Sequence, residues 1–159
     1  MKAFRLLTLV AVVALSGLYH ARSAETKGPT LGSDKERLIG AWQLAALGEP
    51  GPDAKIHGLA DLKGTLIYTR DGHMSVQLMY PKSAANLSNE YVLNGYEASF
   101  GSYDLDEAKH LVTHHVQGSI THGLVGKDLA RVYQFTDDGR LIIKSADPSE
   151  HWQVVWEHY

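Results

Sequence analysis

The chain has 159 residues, with 15 Lys and Arg, 18 Asp and Glu, 9 His, no Cys and a formal charge of −3 with His neutral. The missing cysteines exclude disulfides, thiolate metal sites, cysteine nucleophiles and a lipid-modified cysteine. The acidic balance speaks against nucleic acid and against a polybasic membrane contact, and the length suggests one domain.

In chain order, residues 1–23 read as a secretory signal peptide. Lys2 and Arg5 form a basic start, an apolar stretch runs from Leu6 to Leu18, and Ala21-Arg22-Ser23-Ala24 supplies small residues for cleavage after Ser23. The apolar run is shorter than the roughly 20 residues that span a bilayer, so no integral membrane segment is expected after cleavage; an uncleaved anchor is the alternative. Losing Lys2, Arg5 and Arg22 and no acid takes the cations from 15 to 12 against 18 acids, or −6. The expectation is an exported protein, periplasmic or secreted. Residues 24–35, rich in Lys, Gly, Pro, Thr and Ser, read as a flexible leader, and 36–159 as the folded domain.

The domain reads as short strands. Residues 38–47 form the first. Residues 64–69 and 73–80 flank Asp71-Gly72, and residues 130–136 and 140–145 flank Asp138-Gly139; Asp-Gly between β-rich runs marks a hairpin. Residues 99–105 and 111–118 pair around 106–109. Residues 88–98 read as the one short helix, capped by Ser88 or Asn89, with Tyr91, Val92 and Tyr96 facing inward. In the last strand, 151–159, Trp152, Val154, Trp156 and His158 share the core face. About eight antiparallel strands with one short helix predict an all-β fold, a single up-and-down β-barrel.

These segments resemble a family. Gly40-Ala41-Trp42 matches the glycine-x-tryptophan signature of lipocalins. The series continues through Gly64-Thr65-Leu66-Ile67-Tyr68-Thr69-Arg70-Asp71-Gly72-His73-Met74-Ser75, Phe100-Gly101-Ser102-Tyr103, Val112-Thr113-His114-His115-Val116 and Val154-Val155-Trp156-Glu157. Residues 38–157 are thus similar to the bacterial and fungal lipocalin-like domain family. The resemblance implies a small barrel with a central cavity that binds or reshapes a small hydrophobic molecule, and a structural role for Gly40 and Trp42. The lipocalin pattern also sets an arginine near the last strand against the tryptophan. The final strand here has no Arg, and Arg131, one hairpin earlier, is the nearest candidate.

Face assignments give the candidate site. On 111–118, Val112, His114 and Val116 share the more apolar face, so His114 is expected inside and His115 outside. Tyr103 and Phe100 alternate, so only one of them faces in. If the Asp71-Gly72 loop has two residues, Thr65, Ile67, Thr69, Met74, Val76 and Leu78 face the cavity, and Tyr68 stands on the outer wall. In the second hairpin Arg131, Tyr133 and Phe135 share a face with Ile142 and Lys144, inside or outside. Expected ligand contacts are His114, Tyr103, Arg131, Met74, Val76 and Trp152. Neighbouring His residues on one strand diverge, and His110 lies about 13 Å from His114 along it, too far for one metal; no metal and no cofactor is expected.

The primary expectation is a carrier of a small hydrophobic molecule, more a binding protein than an enzyme. One alternative is an isomerase or cyclase acting on a hydrophobic metabolite, with His114 as general acid/base. Another is an envelope-associated structural protein, because eight strands can just fill their interior with side chains. Ligand identity and oligomeric state are not legible. Elbow, phosphate-loop and zinc-helix motifs are absent from the sequence, and Glu97, Asp104 and Glu157 are not placed together by any pattern.

Overall fold

Ser33 accepts a hydrogen bond from the Glu36 amide at 3.3 Å, the cap that starts a helix. In the computed structural model, which describes residues 32–48 and 61–159, this helix is α1, Asp34–Leu38. Eight strands follow: β1 Gly40–Gly48, β2 Lys63–Tyr68, β3 His73–Met79, β4 Tyr96–Asp106, β5 Leu111–Ser119, β6 Asp128–Phe135, β7 Leu141–Ser145 and β8 Gln153–His158. Each pairs antiparallel with the next, and β8 returns to β1, so the sheet is a closed up-and-down barrel. Closure removes the open edges that would template aggregation. The expected signal peptide and residues 24–31 of the expected leader lie outside the described residues, while Asp34 and Lys35 of that leader belong to α1.

Two turns decide which side chains point inward. The Gly72 amide donates to the Thr69 carbonyl at 3.2 Å and the Thr69 amide to the His73 carbonyl at 2.9 Å, with Gly72 at φ +89°. This is a three-residue loop, a type I turn closed by a left-handed glycine, in place of the two-residue loop expected. The register shifts by one, pairing Tyr68 with Met74 and Leu66 with Val76. A one-residue slip exchanges the two faces of a strand. Leu66 and Tyr68 are therefore buried at 1% exposure, and Ile67, expected inside, is 37% exposed. Met74 and Leu78 face in as expected. The hairpin at Gly139 repeats the device: Tyr133 pairs with Ile143 and Phe135 with Leu141. Arg131 and Tyr133 thus share the buried face with Leu141 and Ile143, not with Ile142 and Lys144.

Residues 88–98 are not a helix. The Asn89 carboxamide oxygen accepts from the amides of Tyr91 and Val92, both at 2.8 Å, which closes a local turn instead of capping a helix. Asn94 and Gly95 then take positive φ, the Gly95 amide bonds back to the Leu87 carbonyl, and β4 begins at Tyr96. Val92 is buried as expected, whereas Tyr96 is 51% exposed.

The barrel end where β1 starts is packed solid. Trp42 donates its indole N–H to the Leu38 carbonyl at 2.9 Å and stacks on His158 with ring centroids 3.6 Å apart. The Arg37 guanidinium lies 3.9 Å over Phe135, and Tyr133 donates to Asp34 at 2.9 Å. These contacts fasten α1 across the end as a plug. The expected pairing of Trp42 with Arg131 does not form. Arg131 pairs across the sheet with Ser145, away from the Phe135–Leu141 end of that hairpin, and its guanidinium lies 4.8 Å over Trp152 instead.

Candidate ligand-binding site

Where β1 finishes, the barrel is open inside. A cavity of about 390 Å³ enters there, within the range of small-molecule sites of roughly 300–1,000 Å³. The period-2 alternation of each strand sends one side chain in two to this space. Leu47 of β1, Leu66 of β2, Val76 and Leu78 of β3, and Val154 and Trp156 of β8 make the wall; Val92 and Leu124 come from the connections. Against this apolar surface stand a few polar groups: Glu97 and Ser99 from β4, His114 from β5, Arg131 from β6, and Tyr91 and His151 from the connections.

At the inner end, Tyr68 Oη and His114 Nε2 meet at 2.6 Å. Burial raises the Tyr68 phenol well above its ordinary range. Burial, with the charges of Arg131 and His115 adding to it, lowers His114 to about 3. Both are neutral at neutral pH, so the pair is a single neutral hydrogen bond and no reserve of basicity.

Arg131 is 6% exposed. Its guanidinium lies between Trp152 at 4.8 Å and Tyr91 at 5.4 Å, with Glu150 at 3.9 Å. Glu150 also accepts from the Tyr91 hydroxyl and the Trp152 indole N–H, each at 2.8 Å. Burial works against its ionisation, but these bonds and the Arg131 charge hold it below the usual range. Cation and anion thus answer each other, and between them they orient two aromatic rings.

Glu97 stands opposite Leu78 in the β3–β4 register. Its carboxylate lines the cavity and has no hydrogen-bond partner among the described residues. Burial pushes it up to about 7 against the pull of Arg131. Burial and the nearby Glu97 also push the Tyr80 phenol up to about 12.

Of the expected ligand contacts, His114, Arg131, Val76 and Trp152 line this cavity. Tyr103 and Met74 are buried below it in the packed half: the Tyr103 hydroxyl donates to the Thr69 carbonyl at 3.0 Å, and its ring meets Tyr68 edge-on at 4.8 Å. Tyr68, Glu97, Tyr91 and Glu150 were not among the residues expected here. Glu97 carried one usable signal, an acid inside an apolar run, hidden by the helical reading of 88–98. Among the described residues, no three His, Asp or Glu are grouped to hold a metal, and no helix is long and apolar enough to cross a membrane.

Residues 39–158 match the family model described as a lipocalin-like domain. No curated protein sequence matches. Among solved structures, the wild-type fluorescent protein UnaG matches at 14% identity and a TM-score of 0.39, covering 78% of this chain and 98% of that one. An asparagine-to-alanine mutant of UnaG matches at 14% and 0.40, covering 78% of this chain and 97% of that one.

Proposed function

We propose a ligand-carrying function for this chain, which belongs to the lipocalin-like domain family: an exported protein that holds a small, largely apolar molecule in its barrel. The observation that carries this reading is the cavity of about 390 Å³, apolar on most of its wall and polar at a few placed groups. Ligand sites have that composition, because apolar wall supplies affinity and a few polar groups fix orientation. The open interior speaks against a filled structural barrel. Acid–base turnover at His114 has no support, because a ring whose pKa is held near 3 is a poor base at neutral pH. Export rests on the charge and apolar pattern of residues 1–23.

The test is titration of the protein, expressed without residues 1–23, with the neutral fluorescent probe N-phenylnaphthylamine, beside native mass spectrometry of protein purified from its own host. The wild type is expected to bind one probe per barrel. Val76→Trp, which fills the cavity from its wall, is expected to lose binding while still unfolding cooperatively. A wild type that takes up neither probe nor host molecule ends the carrier reading.

A further inference from the structure

Glu97 is the acid of the cavity lining that has no hydrogen-bond or ion-pair partner among the described residues. It lies half-buried on the inner face of β4 and lines the apolar cavity, and no donor among the described residues meets either oxygen. An unpaired acid in such a place is destabilising, and the packing of the barrel does not call for one.

Arg131, Glu150 and His114 around it are paired within the protein. Arg131 from β6 faces Glu150 at 3.9 Å and lies over Trp152. Glu150 is held by Tyr91 and Trp152. His114 from β5 is bonded to Tyr68 of β2. Tyr80, which follows β3, and His151, which precedes β8, complete the titratable lining. Two lining groups have no partner among the described residues: the Trp156 indole N–H, a neutral donor, and the Glu97 carboxyl, an acceptor that is negative once ionised above about pH 7.

We infer that Glu97 receives the polar head of the ligand, and that this head is a protonated amine on an apolar body. The inference rests on the carrier reading and names its substrate class. Charge balance selects the head. With Arg131 answered by Glu150, an ammonium against Glu97 leaves the cavity without net charge, whereas a carboxylate head adds a second anion to a low-dielectric space. A hydroxyl donates one hydrogen bond; an ammonium donates three and carries the complementary charge.

Three probes of one chain length separate the heads: decylamine, decanol and decanoic acid, titrated calorimetrically into the protein lacking residues 1–23 at pH 8, where Glu97 is ionised. Decylamine is expected to bind tightest and decanoic acid weakest. Glu97→Gln is expected to lower decylamine affinity by about tenfold or more, the scale of one charge-assisted hydrogen bond, bringing it to the level of decanol. Decanol binding by the variant reports that its barrel is intact. In the wild type, decylamine affinity rises as pH increases through 7, and in Glu97→Gln it does not. Equal binding of all three probes overturns the amine head and leaves the carrier standing. Tightest binding of decanoic acid overturns it in favour of Arg131. Failure of all three to bind removes the carrier reading and this inference together.

Discussion

The two ends of the barrel are made from the same alternating strands, yet they solve opposite problems. At the end closed by α1, buried aromatic side chains bond to the protein itself: Trp42 with Leu38, Tyr133 with Asp34, Tyr103 with Thr69. At the open end, polar groups face a cavity, and Glu97 has no partner among the described residues. A packed core gains stability by satisfying its own polar atoms. A binding site leaves some of that potential for a ligand. The division of labour is physical: one end holds the fold so that the other can remain unfilled.

The largest expected effect breaks or upholds that contrast with one chemistry at two places. Leu141 is 0% exposed in the packed end, and Leu78 is 5% exposed on the cavity wall. Leu→Ala in a sealed core costs about 3–5 kcal/mol, and the cost grows with the void left behind. Leu141→Ala is expected near the top of that range. Leu78→Ala enlarges a space that already exists and is expected nearer 2 kcal/mol. Urea unfolding of both variants measures the difference; equal costs would mean that the two ends are packed alike.

Next comes the pH dependence, which belongs to the open end. Glu97 is raised from 4.5 to about 7, so its contribution favours the folded state at low pH and is lost as pH rises between those values. His114 is lowered from 6.5 to about 3, so its contribution is present above 6.5 and lost as pH falls towards 3. Between pH 4.5 and 6.5 the two slopes, each about 1.4 kcal/mol per pH unit, oppose and nearly cancel. The wild type should show a plateau there. Glu97→Gln should convert it to stability that rises with pH, by about 2–3 kcal/mol across the window. His114→Gln should make stability fall with pH. Unfolding midpoints of the three proteins at pH 4.5, 5.5 and 6.5 decide it, and parallel curves would refute both assignments.

Much of the barrel's inner face was legible in the sequence, and the reason is periodicity. Val112, His114 and Val116 alternate against His115 along β5, and Val154 and Trp156 do so along β8, because burial on one face of a strand imposes a period of two. The Asp-Gly turns located both hairpins. What they left open was loop length, since a glycine with positive φ suits a two-residue and a three-residue loop alike. That single residue of ambiguity placed Tyr68 outside, and with it went the Tyr68–His114 bond across 46 positions. The same ambiguity left Arg131 and Tyr133 without a side. Glu97 was hidden by a different competition. Ser88 and Asn89 have the chemistry of a helix cap and of a turn equally, and the helical reading delayed the start of β4 beyond it.

The plug itself offers a smaller test. Tyr133→Phe removes the hydroxyl that holds Asp34 and leaves the ring buried. It is expected to cost about 1 kcal/mol, one net hydrogen bond, and to speed hydrogen exchange in residues 34–38 while N-phenylnaphthylamine binding at the other end is unchanged. Altered probe binding would show that the ends are coupled.

The smallest effect is expected from the histidine next to the buried one. His115 shares β5 with His114 but faces outward, between Asp104 at 2.9 Å and Asp128 at 2.6 Å. Its hydrogen bonds with Asp128 and then Asp104 raise its pKa. That stabilisation is present in full below the ordinary value of 6.5 and is lost as pH rises through the higher folded value. Its side chain is 33% exposed and both carboxylates are more so, so water and salt screen the pair. His115→Ala is therefore expected to cost under about 1 kcal/mol at pH 6, less in added salt and nothing at pH 9. A pH-independent loss of the same size would mean that packing against β4 and β6 holds this ring, and that charge does not.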